Sequence, residues 1–84
     1  MNTKQRKTLE LLFRMLPPTQ IPWADILSLF QALEATVRQR AGSRVAISLN
    51  GIVAVFHEPH PERKARRLLI HDVRNFLQDA GVKP

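Results

Sequence analysis

The chain has 84 residues, no cysteine and a formal net charge of +6, from 13 Lys and Arg against seven Asp and Glu. That length builds one domain with a modest core and no large enclosed pocket, and the lack of cysteine excludes disulfides, Cys-based zinc sites and thiol catalysis. No apolar run approaches membrane-spanning length and Met1 to Gln5 has no signal-peptide core, so a cytoplasmic protein without a membrane partner is expected.

The basic excess lies from Thr36 onward, with nine basic and four acidic side chains against four and three before it. Such asymmetry attracts polyanions, nucleic acid ahead of an acidic protein or a membrane surface. Leu9, Leu12, Phe13 and Leu16 form a helical stripe within Thr3 to Leu16, with Thr3 or Asn2 as its cap and Pro17-Pro18 as its end. A second helix opens at Ile21-Pro22-Trp23-Ala24-Asp25, with Pro22 near the first turn and Asp25 at the positive end of the dipole. Its buried stripe is expected to be Trp23, Ile26, Leu27, Phe30 and Leu33, and it stops near Leu33 or Glu34, because Thr36 to Arg40 alternates with period two.

The next stretch determines its own register. Asn50-Gly51 is a strong hairpin signal, since a type I′ turn needs positive φ at both central residues. A two-residue turn there pairs Leu49 with Ile52, Ile47 with Ala54 and Val45 with Phe56 on the core face. The other face pairs Ser48 with Val53, Ala46 with Val55, and Arg44 with His57. Upstream, Ala41-Gly42-Ser43 fits a three-residue connection that sets Arg40 opposite Arg44 and keeps Val37 in the core; a two-residue turn would bury Arg38 instead. Arg38, Arg40, Arg44 and His57 then share one open face. A last helix is expected from about Arg66 to Asp79, with Leu69, Ile70, Val73, Phe76 and Leu77 inward and Gly81 as its stop.

The predicted order is helix, helix, three-stranded antiparallel meander, helix: an α+β fold. Without the first helix it is α-β-β-β-α, the dsRBD-like arrangement of double-stranded-RNA-binding domains. Residues 1–20 are then an N-terminal helical extension to a domain over 21–84. Helices on one face leave the other free, where Val53 and Val55 call for cover by the N-terminal helix, a second copy of the chain or a partner protein.

Four ordered pieces, Trp23-Ala24-Asp25-Ile26, Gly42-Ser43, Pro59-His60-Pro61 and Val73-Arg74-Asn75-Phe76-Leu77, make the stretch from about Ile21 to Pro84 resemble HicA-type toxins. The resemblance implies a dsRBD-like fold, an endoribonuclease (mRNA interferase) that cleaves mRNA without metal or cofactor, and a HicB-type antitoxin that covers the active surface, with a dimer or a hetero-oligomer as the assembly. It also brings two departures. Many members place their catalytic histidine directly after Gly-Ser, where this chain has Arg44, and Leu68 stands where the family often has Gly, so the basic loop before the last helix is expected to be partly helical.

Metal-free cleavage needs one group to deprotonate the 2′-hydroxyl, another to protonate the leaving 5′-oxygen, and cations on the phosphate. Arginine keeps its proton and serves as a bidentate phosphate clamp, whereas histidine, with a reference pKa of about 6.5, suits either proton role. The expected catalytic set is therefore His57 as base or acid, His60 as its complement and Arg44 as the clamp. Arg38, Arg40, Ser43, Arg63, Lys64, Arg66 and Arg67 are the RNA-binding set. Duller readings stand beside these: His57 as a polar strand end, His60 as a rigid corner, Glu62 and Arg66 as a solvated ion pair, Glu58 paired with an arginine, Trp23 as a core anchor. His71 is expected at a helix flank with no role. A non-catalytic RNA-binding module of the same fold is the alternative function, ahead of DNA binding through the first two helices, which lack a basic recognition helix.

Overall fold

Three helices and five strands follow one another in the computed structural model, which describes residues Met1–Pro84: α1 (Thr3–Phe13), β1 (Gln20–Pro22), α2 (Trp23–Ala32), β2 (Thr36–Arg40), β3 (Arg44–Leu49), β4 (Ile52–His57), β5 (Lys64–Arg66) and α3 (Arg67–Asp79). The fold is α+β, with a three-stranded antiparallel sheet in the order β2-β3-β4 and a separate two-stranded sheet of β1 and β5. No helix is long and apolar enough to cross a membrane.

Asn2 caps α1 reciprocally: its side chain accepts from the Gln5 amide at 2.7 Å, and the Gln5 side chain accepts from the Asn2 amide at 2.8 Å. The helix ends three residues before the expected Leu16, which is 86% exposed rather than part of the stripe. Its last carbonyls are taken by a residue distant in sequence. Arg74 of α3 donates from Nε to the Leu12 carbonyl at 2.7 Å and from Nη2 to the Arg14 carbonyl at 2.5 Å. Orphan carbonyls at a helix end need partners, and a guanidinium satisfies two of them at once.

The registers of the large sheet are those expected. Leu49 faces Ile52 across a turn in which Asn50 and Gly51 have φ of 51° and 82°, and the series runs out to Arg44 opposite His57. Asn50 also donates to the Ala80 carbonyl at 2.8 Å, tying the hairpin tip to the end of α3. Gly42 and Ser43 both adopt positive φ in the β2–β3 connection, and Arg40 faces Arg44. Val37 does face Ile47, but it is 40% exposed and not in the core. It lies on an edge strand, where it lines a surface cleft with the half-buried Leu27 and with Ala24, Ser28 and Gln31 of α2.

Two further expectations are corrected. Leu29, not Leu27 or Leu33, completes the buried face of α2, and Leu69 of α3 is half-buried. The basic segment before α3 is a strand rather than partly helical: Gln20, Ile21 and Pro22 pair with Arg66, Ala65 and Lys64, and the Trp23 amide donates to the Arg63 carbonyl at 2.9 Å. Ile21 and Ala65 are both buried, so this small sheet closes one end of the core.

Seventeen buried side chains make one core that includes Leu9 and Leu12 of α1. At its centre Phe56 of β4 lies 6.4 Å from Trp23, 6.4 Å from Phe30 and 5.9 Å from Phe76, ring centroid to centroid. Edge-on and offset contacts of this kind add about 0.5–1.5 kcal/mol each beyond the area they bury. Phe56, Val45, Ile47 and Leu49 all point to the helical side, which leaves the opposite face of the sheet uncovered.

Candidate nucleic-acid interface

Alternation along three strands lays out the uncovered face in rows. Arg40, Arg44 and His57 form the first, Arg38, Ala46 and Val55 the second, and Thr36, Ser48 and Val53 the third. None of these nine side chains is acidic. Arg38, Arg40, Arg44 and His57 are all exposed, and none makes an ion pair. Like charges directly across a strand pair repel, so Arg40 opposite Arg44 is unfavourable unless an anion sits over them.

The Arg44–His57 pair sits where side chains come closest. The Glu58 amide donates to the Ser43 carbonyl at 2.8 Å, the bond just beyond this pair, so Arg44 and His57 occupy a non-hydrogen-bonded position. Cα atoms at such positions are about 4.5 Å apart. Arg44 donates from Nε to the Ala41 carbonyl at 3.0 Å, which anchors its guanidinium and leaves both Nη nitrogens without a protein acceptor. Those two nitrogens are the fork that a phosphate accepts bidentately.

His60 lies elsewhere. It lines a cleft of about 520 Å³ beside the free edge of β4, together with His57, Lys64, Arg66, Leu68 and Asp72. Arg38, Arg40 and Arg44 do not reach it. His57 alone belongs to both places, at the corner between the open face and the cleft.

The remaining residues of the expected RNA-binding set are dispersed. Ser43 sits in the turn beside Arg44, with its carbonyl used by Glu58 and its hydroxyl unbonded. Arg63 lies 3.7 Å from the Glu58 carboxylate. Arg66 is engaged by Glu62, whose carboxyl is held below the usual range, first by that hydrogen bond and then by the charge of Arg66 and Lys64. Lys64 is exposed on β5 at the cleft, and Arg67 is exposed at the start of α3, outside it. His71 is exposed on α3, near Asn75 and Asp72 and away from both places.

Glu58 is the residue whose position was least legible. Its carboxylate accepts from Trp23 Nε1 at 2.8 Å and from Gln39 Nε2 at 2.9 Å, and Arg63 stands beside it. One side chain thus joins the start of α2, strand β2 and the segment before β5. One residue past the end of β4, where its amide still bonds to the Ser43 carbonyl, Glu58 faces the other way from His57, and the open face keeps its charge. The clue in the sequence is a lone acid between a strand end and the Pro59-His60-Pro61 corner.

A scan against protein-family models, a search of curated proteins and a search of solved structures each return no match for this chain. No three His, Asp or Glu side chains converge into a group that could hold a metal ion.

Proposed function

We propose that this chain is a HicA-type toxin with a dsRBD-like fold: a cytoplasmic endoribonuclease that cleaves mRNA by acid–base chemistry and is neutralised by a HicB-type antitoxin seated on the open face. The observation that carries the reading is the row Arg40, Arg44, His57 on a face without a single carboxylate. A phosphate over that row meets the free fork of Arg44 and, across the strand pair, an imidazole.

In the reaction the 2′-oxygen attacks the adjacent phosphorus as its proton passes to a base, and the bond to the 5′-oxygen breaks as that oxygen takes a proton. The products are a 2′,3′-cyclic phosphate and a 5′-hydroxyl. His57 takes one of the proton roles, and His60, across the cleft, takes the other. Arg44 stabilises the charge that grows on the equatorial oxygens, and Arg38 and Arg40 hold neighbouring phosphates. General acid–base groups of this kind contribute about 10²–10⁴-fold each.

One observation favours a second reading. Arg44 stands at the position where the resemblance implies a histidine, and an arginine cannot exchange a proton there. The same face without catalysis is an RNA-binding module. Cleavage of a long single-stranded RNA in excess chelator, by wild type and by His57→Ala, separates the two. Cleavage that is lost in the variant supports the ribonuclease. Equal cleavage by both removes His57 from the site, and salt-dependent binding without cleavage by either leaves the binding module.

A further inference from the structure

The two edges of the main sheet are built differently. Strand β2 carries Arg38 and Arg40, charges of the sort that protect an edge against pairing. Strand β4, Ile52-Val53-Ala54-Val55-Phe56-His57, has no Lys, Arg, Pro or bulge. Val53 is 62% and Val55 49% exposed, and Leu68 of α3, beside the same edge, is 74% exposed. Open space borders the strand throughout: the cleft at His57 continues into a second one, along Ile52 to Phe56 and lined from α3 by Asp72, Asn75 and Asp79.

We infer that this edge pairs with the same edge of a second copy, antiparallel about a two-fold axis at Val55, to form a six-stranded sheet. The hydrogen-bonding parity selects the register. Leu49–Ile52, Ile47–Ala54 and Val45–Phe56 are the hydrogen-bonded pairs within the hairpin, so Val53, Val55 and His57 point their amides and carbonyls away from β3. Two antiparallel copies satisfy all three residues in only one register, with Val55 opposite Val55 and Val53 opposite His57. Shifting by two residues loses one of the three pairs.

Charge matches that register. The His57 end of the groove carries His60, Lys64 and the Glu62–Arg66 ion pair, the Ile52 end carries Asp79, and Asp72 lies between them. A two-fold axis at the middle of the strand brings the unpaired Lys64 of one copy toward Asp79 of the other. The pairing also flanks Val53 and Val55 with the second copy's side chains on the same face, and leaves the arginine rows open on one continuous surface. The two His57 side chains then lie about 14 Å apart, four residues of strand rise. The second copy's turn narrows the cleft between His57 and His60.

The dimer does not depend on the proposed chemistry, and sedimentation equilibrium of the full chain tests it. The expected mass approaches twice 9.6 kDa as concentration rises, and Ser48→Lys, on the same face but the central strand, leaves it unchanged. Val55→Lys, which places two like charges at the axis, holds the mass at that of one chain. Hydrogen exchange of the wild type provides a reading free of variants: the amides of Val53, Val55 and His57 slow with concentration, whereas those of Ile52 and Ala54 do not change. A single-chain mass at every concentration overturns the dimer, as does a dimer in which Val55→Lys or the edge amides behave as though the edge were not involved.

Discussion

Arg44 and His57 are the outermost cross-strand pair of the β3–β4 hairpin, and both project from the face that holds no acid. Arg44 has a fixed charge with its fork free, while His57 has an exchangeable proton. The two kinds of group that a phosphodiester cleavage requires therefore stand one strand spacing apart, set there by an Asn-Gly turn six residues upstream of His57.

Replacing Arg44 separates charge from geometry. Arg44→Lys keeps the charge but not the fork, so RNA binding retains its salt dependence while cleavage falls roughly tenfold or more. Arg44→Ala lowers the slope of log affinity against log salt by about 0.7, the value for one phosphate contact on a single strand. Filter binding across a salt series, next to single-turnover cleavage, checks both.

Arg40→Ala is expected to act in opposite directions on stability and binding. It removes the like-charge opposition with Arg44, so urea unfolding in low salt shows a gain of about 0.2–1 kcal/mol that fades as salt is added. RNA affinity drops in the same variant. A loss of stability on this substitution contradicts an uncompensated basic row.

Glu58→Ala leaves Trp23 Nε1 inside the protein with no acceptor. The expected cost is about 1–3 kcal/mol, read by denaturant unfolding, with a change in tryptophan fluorescence because the chain has one Trp. Glu58→Gln retains an acceptor for Trp23 and loses less.

Glu34 stands at the residue after the α2 cap with φ of 63°, in a Schellman arrangement in which its amide donates to Gln31 and the Ala35 amide donates to Phe30, both at 3.0 Å. It is exposed and has no side-chain partner. Glycine has no Cβ to strain there, so Glu34→Gly raises stability by about 1 kcal/mol in thermal or urea unfolding.

The Glu62–Arg66 pair provides a test by pH. The folded carboxyl titrates below its ordinary value, so the pair's contribution is complete above the normal carboxylate range and disappears as pH falls through the lowered value. Carbon-detected titration of Glu62 is expected to show the depression in wild type and its return to the usual range in Arg66→Ala.

What could be read from the sequence follows the range of the interactions. The hairpin register, the Arg40–Arg44 and Arg44–His57 pairs and the stop at Gly81 depend on neighbours within one turn, and Asn50-Gly51 and Gly42 declare them locally. The β1–β5 sheet joins Gln20 to Arg66, and neither three-residue strand has a period of its own. The clamp of Arg74 on α1 and the convergence of Trp23, Gln39 and Arg63 on Glu58 likewise join distant segments, and no local pattern marks them. Val37 was placed correctly in register, but exposure at an edge depends on how far the helices reach over it. The proposed site divides the same way: its row on the open face was legible, and the separation of His60 into a cleft at the strand edge was not.

The contact of Arg74 with the carbonyls of Leu12 and Arg14 orders events as the chain is made. Helix α1 leaves the ribosome before α3, so the group that finishes it comes 60 residues after the last turn it closes. The core aromatic Phe76 and the hairpin anchor at Ala80 arrive later still. A growing chain therefore has no finished sheet platform until its last helix emerges. The open face, with its row of Arg40, Arg44 and His57, is thus the product of a late event in synthesis, although the strands that bear it emerge earlier.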